Sequence, residues 1–386
     1  MSAYRVRTMV NSASGRITLF SAAVLFAASF LLTCRASSEE TELLEDLLSR
    51  GKYKRLIEKL SKDQKATHAQ KAILSEAYRR IGMYEEALSA LPKTGKYAAL
   101  RAKIYLDTGR LEEALKLLSR TEPLPENLLL LGRALELKGE REKARESFRR
   151  AISFYEEMTY EDAEQAPASL FAVFGRALMG LDRFEEANEV MLAQALEKNR
   201  EDLEVLVFGG DLFTSKYDFP EGRRYYREAL RVSRRNPDVL AKLARAVFDD
   251  PTLGGSRLQK AASLAEEALS VNPNHPQSHT ILGDIAFFDG LWREARFHYQ
   301  KAAETNPAYF DALGGLYACA VMTLNERERK SIEAKAKSIN AKPAAFYVAA
   351  AKRCELHNQY PIVSVSYTHL RAHETRHDLV CRLLLE

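Results

Sequence analysis

The stretch ILGDIAFFDGLWREARFHYQKAAETNP, residues 281–307, determines the fold. It contains a small residue at Gly283, a second glycine seven residues later at Gly290 and an alanine at Ala295. Gly283 allows two helices to pack closely, and Gly290 ends the first helix, because glycine tolerates the left-handed conformation common at helix ends. Pro307 ends the second helix, since proline cannot donate the backbone hydrogen bond of a helix interior. The stretch therefore predicts a helical hairpin.

The same spacing of small residues recurs along the chain. The recurring sets are Gly132, Gly139, Ala144 and Phe148; Gly175, Asp182, Ala187 and Met191; and Gly210, Gly222, Tyr226 and Ala229. Shorter units precede them, with Gly82 and Gly109 only 27 residues apart. No segment alternates apolar and polar residues in the manner of a β-strand. We therefore predict an all-α chain of about eight hairpins between residues 41 and 364, with the last one truncated.

At these positions the chain resembles the tetratricopeptide-repeat family, whose unit is a helix-turn-helix of about 34 residues. The resemblance implies an α-solenoid, in which stacked hairpins form a superhelix and the first helix of each hairpin lines a concave groove. It also implies a non-catalytic scaffold or adaptor that binds segments of partner proteins in that groove. Some members of the family clamp a C-terminal carboxylate with Lys, Asn and Arg. No predicted groove residue is Asn, so chaperone tails are not expected partners.

The groove is predicted from the residues that follow each small residue directly or one helical turn later. These candidates are Lys103, Leu106, Arg133, Arg176, Met179, Phe248 and Phe287. The three basic residues form a row flanked by apolar side chains, which suits an extended or helical partner segment with an acidic face. The alternative is a mixed, solvated surface with local ion pairs, each of which contributes little.

The first 35 residues form a separate segment. Arginines precede an uncharged run, residues 17–33, that ends at Cys34. This order is typical of an export signal, and it predicts that the rest of the chain lies in the periplasm or at the bacterial envelope membrane. Leu31-Leu32-Thr33-Cys34 resembles the lipobox of bacterial lipoproteins, in which the Cys is lipidated, although Thr33 departs from the usual Gly, Ala or Ser. Ordinary cleavage near Cys34 and an uncleaved anchor are the alternatives.

Residues 365–386 do not read as part of the repeat array. The segment resembles one reading frame of a sequencing-library adapter. Its His369, His373 and His377 are therefore not interpreted as a metal site, although their spacing fits one face of a helix. The protein's own sequence is then expected to break off near Ser364. An alternative function follows, in which the array is the binding arm of a larger enzyme or sensor with a downstream domain.

The formal net charge of +4 does not predict a nucleic-acid partner. Residues 1–35 carry four arginines and no acid, and the rest of the chain is close to neutral with both signs interspersed. Binding to nucleic acid depends on a cationic surface that displaces counterions, which this composition does not provide. We expect membrane contact only through the N-terminal signal or a lipid on Cys34.

No combination of residues predicts catalysis, a cofactor or a metal. His275 and His279 have a spacing that suits metal ligands, but no carboxylate or Cys accompanies them. Gly254-Gly255-Ser256 lacks the Lys of a phosphate-binding loop. Cys319 and Cys354 are predicted to be small, buried residues. The sequence therefore favours a binding protein over an enzyme.

Overall fold

A computed structural model describes residues 38–63 and 65–355, with side chains from residue 41 onward. All the regular structure in these ranges is helical. The export signal predicted for residues 1–35, including Cys34, and the adapter-like residues 365–386 lie outside the described residues.

Short helices begin the described chain, and longer ones follow. The first nine are α1 (Ser38–Ser49), α2 (Tyr53–Leu60), α3 (His68–Arg80), α4 (Tyr84–Ala90), α5 (Ala98–Asp107), α6 (Leu111–Leu118), α7 (Pro125–Lys138), α8 (Arg141–Glu156) and α9 (Tyr160–Gln165). A 3-10 turn at Gly95–Tyr97 leads directly into α5. The small helix α9 lies between α8 and the second part of the chain.

The described residues from 168 to 355 contain twelve helices. They are α10 (Ala168–Gly180), α11 (Phe184–Val190), α12 (Leu196–Lys198), α13 (Leu203–Ser215), α14 (Phe219–Val232), α15 (Pro237–Asp249), α16 (Ser256–Val271), α17 (Pro276–Phe288), α18 (Trp292–Thr305), α19 (Phe310–Met322), α20 (Glu326–Ile339) and α21 (Ala344–Glu355). A π-helical turn at Met191–Ala195 joins α11 to α12, and a 3-10 turn at Pro251–Leu253 lies between α15 and α16.

Within the described residues, consecutive helices pair into nine hairpins. Hairpins 1 to 4 pair α1 with α2, α3 with α4, α5 with α6, and α7 with α8. Hairpin 5 pairs α10 with α11 and with the π-helical turn and α12 that continue it. Hairpins 6 to 9 pair α13 with α14, α15 with α16, α17 with α18, and α19 with α20. Helix α21 follows hairpin 9 and packs against α19. The predicted all-α stack of hairpins is confirmed, with nine hairpins and one further helix where about eight hairpins were expected.

Most of the predicted small residues lie where the two helices of a hairpin touch, and Gly175 lies where its helix touches Phe208 of the next hairpin. A β-carbon added at Gly283 would lie 2.6 Å from the ring of Tyr299, and one added at Gly132 would overlap the ring of Phe148. Ala295 is fully buried. Larger side chains at such positions force neighbouring groups apart at a cost of about 1–3 kcal/mol. The small residues therefore set the distance between the helices, as the spacing predicted.

Successive turns of the superhelix touch one another along a line that we call the seam. It joins the tip of each early hairpin, meaning the turn between its two helices, to the residues that end the fifth hairpin after it. The four contacts are Gly51 with Arg234, Gly82 with Asn272, Gly109 with Asn306, and Gly139 with Asn340. Hairpins 1 to 4 thus rest on hairpins 6 to 9, and the superhelix completes a turn in about five hairpins.

Backbone and side-chain hydrogen bonds cross the seam. The backbone N–H of Arg234 donates to the carbonyl of Ser49 at 2.8 Å. The Asn306 amide Nδ2 donates to the carbonyl of Leu106 at 2.9 Å. Val271 of hairpin 7 also joins the apolar cluster of hairpins 1 and 2. Polar and apolar contacts therefore both hold the two turns together.

Sequence reasoning missed the seam, although a signal for it exists. Asn272, Asn306 and Asn340 are spaced 34 residues apart. Each ends the second helix of its hairpin in an extended conformation. Each side-chain oxygen also accepts a hydrogen bond from the backbone N–H two residues later. The repeated Asn fixes the conformation that contacts the early hairpin tips.

Candidate functional site on the concave face

The predicted basic row lies on the first helices of hairpins 3, 4 and 5. Lys103 Nζ lies 2.8 Å from Glu126 Oε1, and Arg176 Nη1 lies 2.8 Å from Glu204 Oε2. Arg133 is exposed and makes no ion pair or hydrogen bond through its side chain with any residue that the structure describes. The ion-pair alternative therefore applies to two members of the row, while Arg133, between them, makes no direct ion pair with a described residue.

The walls of the superhelix change the acidity of groups on this face. Arg133 reaches water, but the surrounding protein and the nearby charge of Arg176 lower the pKa of its guanidinium. The same enclosure raises the pKa of Glu136 to about 7, although Arg133 opposes the shift. Enclosure disfavours the charge of Glu204 as well, but Arg176 and Lys103 outweigh it and lower the pKa to about 2. The face is therefore enclosed enough for charges to interact strongly.

The apolar candidates are less accessible than predicted. Leu106, Met179 and Phe248 are half-buried in the wall. Phe287 is fully buried, and its ring centroid lies 4.8 Å from that of Trp292. The prediction that Phe287 faces the groove is wrong, because Trp292 at the start of the next helix covers it. A partner segment would meet mainly polar groups beside Arg133.

A second charged cluster, between hairpins 7 and 9 and α21, is fully neutralised. Arg353 Nε lies 2.7 Å from Asp284 Oδ1, and Arg353 Nη1 lies 3.1 Å from Asp311 Oδ1. Arg245 Nη2 lies 2.6 Å from Asp284 Oδ2. The Arg353 and Asp284 side chains are only 6% and 5% exposed. Their charges satisfy one another, so the cluster holds helices together and offers no free group to a ligand.

A third cluster links the two turns of the superhelix at hairpins 2 and 7. Arg79 lies 2.8 Å from a carboxylate oxygen of both Asp107 and Asp238. Although burial favours the neutral acid, the Arg79 guanidinium holds the pKa of Asp238 well below its ordinary value. His275 Nε2 lies 3.2 Å from Asp238. This cluster extends the seam onto the concave side.

The histidines and cysteines have structural surroundings. Nδ1 of His275 lies 2.9 Å from the Ser278 hydroxyl, and Nε2 of His279 lies 2.9 Å from the Pro273 carbonyl. Across residues 38–63 and 65–355 no three metal-ligating side chains converge on one point. Cys319 and Cys354 are free thiols, and both are buried, as predicted. Burial raises their pKa values to about 12 and about 11. Of the helices described, none combines the length and apolarity needed to span a bilayer.

Comparisons with protein families match two parts of the chain. Residues 125–157 and 253–310 each match a model of the tetratricopeptide repeat. The first range contains hairpin 4, which carries Arg133, and the second contains the second helix of hairpin 7 and all of hairpin 8. Both matches fall on units whose small residues have the predicted spacing.

Curated relatives with similar sequences include two plant proteins. The chain is 23% identical over 257 residues to Hsp70-Hsp90 organizing protein 1 of Glycine max, a match that covers 64% of this chain and 42% of that protein. It is 24% identical over 259 residues to Hsp70-Hsp90 organizing protein 3 of Arabidopsis thaliana, covering 65% and 43%. The chain therefore spans less than half the length of these relatives.

Solved structures with a similar fold include two bacterial proteins. PilF of Pseudomonas aeruginosa aligns with a TM-score of 0.38 and 16% identity, over 59% of this chain and 97% of that one. A tetratricopeptide repeat protein from Parabacteroides merdae aligns with a TM-score of 0.44 and 15% identity, over 67% and 97%.

Proposed function

Because the chain is a tetratricopeptide-repeat protein, an architecture that binds other proteins or peptides, we propose that it is a non-catalytic scaffold. Its concave face holds an acidic segment of a partner protein, and Arg133 contributes the most to the free energy of binding. The observation that carries this proposal is the exposed Arg133 guanidinium, which makes no direct ion pair with a described residue and lies between two cations that already have carboxylate partners. The residues described offer no comparable free cation elsewhere on the predicted row.

The chemistry of Arg133 suits a carboxylate. A guanidinium presents a planar fork of donors that binds both oxygens of a carboxylate, and such charge-assisted bonds are stronger than neutral ones. Glu126 and Glu204, which pair with Lys103 and Arg176, line the same face and limit the space for additional anions. The face therefore favours a short acidic peptide segment over a long polyanion such as nucleic acid.

A direct test uses a defined acidic peptide. Fluorescence anisotropy of a fluorescein-labelled decaglutamate should show binding to the intact chain, and a decaglutamine should not bind. Arg133→Gln is expected to weaken binding about tenfold, since a hydrogen bond to a charged group contributes about 1.5–3 kcal/mol. Arg133→Glu should weaken it further.

The matched control is Arg150→Gln in the same hairpin. Arg150 is exposed on α8 and makes no ion pair with a described residue, but it lies on the second helix. Its loss should leave the affinity unchanged. Equal weakening by the two glutamine variants would indicate non-specific attraction to positive charge and would reject the assignment of Arg133.

We further propose that the scaffold acts at the bacterial envelope after export, as residues 1–35 predict. A labelled fatty acid should appear on the expressed protein and be absent from Cys34→Ala. An unlabelled parent protein that is still exported would reject lipidation and favour ordinary cleavage.

A further inference from the structure

The seam lies on the same hairpins that carry the proposed binding face. Hairpin 3 supplies Lys103 and also the tip at Gly109, and hairpin 4 supplies Arg133 and also the tip at Gly139. Each tip rests on the Asn that ends the fifth hairpin beyond it. The side of the superhelix next to the binding face is therefore closed by direct contact between turns.

The contact at Gly109 allows this closure to be tested. A β-carbon at this residue would lie 2.5 Å from Asn306 Oδ1, 3.0 Å from the Ala308 nitrogen and 3.0 Å from Pro307 Cδ. A proline ring and a backbone nitrogen cannot move aside as the end of a flexible side chain can. Asn306 is itself fixed, because its side chain accepts from the Ala308 N–H at 3.0 Å and donates to Leu106. An added methyl group must therefore separate the two turns.

The seam is also the part of the interface best able to open. It consists of hairpin tips, one backbone hydrogen bond, a few side-chain bonds, the Arg79–Asp238 ion pair and the apolar contacts of Val271 and Leu137. From hairpin 4 onward, neighbouring hairpins bury larger continuous apolar clusters between their helices. Local opening follows the regions with few buried apolar contacts. Separation of the turns therefore costs less than separation of two adjacent hairpins in that part of the array.

We propose that the seam is a gate for the concave face: the partner segment enters when the turns separate, and closure of the Gly–Asn contacts retains it. This inference rests on the proposed function of Arg133. It adds that the rate of association is set by the population of the open superhelix. A binding-competent state that is only partly populated reduces the apparent affinity by that fraction.

The experiment compares two glycines of the same conformation. Gly109 and Gly290 both occupy hairpin tips with a positive φ, 68° and 76°. A β-carbon at Gly290 would come no closer than 3.8 Å to any other group, the ring of Trp292. Both Ala variants therefore carry the same backbone strain, but only Gly109→Ala forces the seam apart.

Small-angle X-ray scattering of the free chain should show a larger radius of gyration for Gly109→Ala and no change for Gly290→Ala. Stopped-flow mixing with labelled decaglutamate should give an association rate about fivefold faster for Gly109→Ala, if the open form becomes about fivefold more populated. The dissociation rate should rise as well, because the same contacts retain the peptide.

Three outcomes separate the two proposals. Expansion without faster association rejects the gate and leaves the function of Arg133 intact. An unchanged radius for Gly109→Ala also rejects the gate, whatever the binding. Failure of the parent chain to bind decaglutamate rejects the proposed function, and the gate is rejected with it. If Gly109→Ala does not fold, Asn306→Ala opens the same contact without added bulk, with Asn199→Ala as its control.

Discussion

The tips of hairpins 1 to 4 and those of hairpins 5, 6, 8 and 9 share one backbone conformation but differ in sequence. All four early tips place a glycine at the left-handed position, as Gly109 illustrates. Three later tips place Asp182, Tyr217 and Leu324 there, with φ values of 63°, 60° and 54°. Left-handed backbone alone therefore does not require glycine in this chain.

The difference lies in what covers each tip. The early glycines face the residues that end hairpins 6 to 9, with no space for a β-carbon. The Tyr217 and Leu324 side chains are 59% and 90% exposed. A non-glycine residue in the left-handed region costs about 1–2 kcal/mol. An exposed tip tolerates this strain, whereas a covered tip also has no space for the side chain. Glycine is thus required at the four tips that contact another superhelical turn, although uncovered tips can carry it too, as Gly254 and Gly290 do.

Arg79→Met should have the largest effect on the link between the turns. Its side chain is only 10% exposed, and its loss leaves Asp238 and Asp107 without their main cationic partner. Removal of one member of a buried ion pair destabilises by about 3–5 kcal/mol. We expect a lower urea midpoint and faster amide exchange in hairpins 2 and 7.

Lys103→Met is the matched change at an exposed pair. Lys103 and Glu126 are 40% and 44% exposed, so their interaction is worth about 0–1 kcal/mol. A similar loss of stability in both variants would show that Arg79 does not link the turns in solution.

Asn306→Ala tests one hydrogen bond across the seam. Asn199 ends hairpin 5 with the same side-chain bond to the backbone two residues later, 2.9 Å against 3.0 Å for Asn306. Only Asn306 also donates to Leu106. Both Ala variants lose the local bond, so the additional loss in Asn306→Ala should be about 1 kcal/mol, the usual net value of one hydrogen bond. Equal urea midpoints would indicate an open seam.

Local features of the fold could be predicted from the sequence, but the contacts across the seam could not, because the 34-residue spacing of Asn272, Asn306 and Asn340 marks only one side of them. Gly283, Ala295 and Pro307 act on residues within one hairpin, so their spacing is enough to predict the helices. Asn306 and Leu106 are 200 residues apart, and their meeting depends on a small rotation accumulated over five hairpins. Spacing within one repeat does not contain that rotation.

The candidate site was predictable to a similar extent. Helical spacing placed Lys103, Arg133 and Arg176 on one face, because the first helices of adjacent hairpins are parallel repeats of one unit. It could not show that Glu126 and Glu204 neutralise two of the three, since those acids come from the next hairpin. Phe287 was misplaced for a different reason: its ring packs against that of Trp292 in the second helix of the same hairpin, a contact that spacing along one helix does not show.

Leu324→Gly should give the smallest effect, and it should be a gain. Leu324 is 90% exposed, so its side chain contributes little packing, while its φ of 54° strains an L-residue. Glycine relieves the strain but adds freedom to the unfolded chain, which leaves a net stabilisation of about 0.5–1 kcal/mol. Leu291 is an exposed tip residue with a φ of −85°, so Leu291→Gly has no strain to relieve. This variant should lose about 0.5–1 kcal/mol of stability. Urea denaturation of the two variants should therefore shift in opposite directions. A loss of stability in both variants would show that the Leu324 tip is covered in solution, as the tips of hairpins 1 to 4 are.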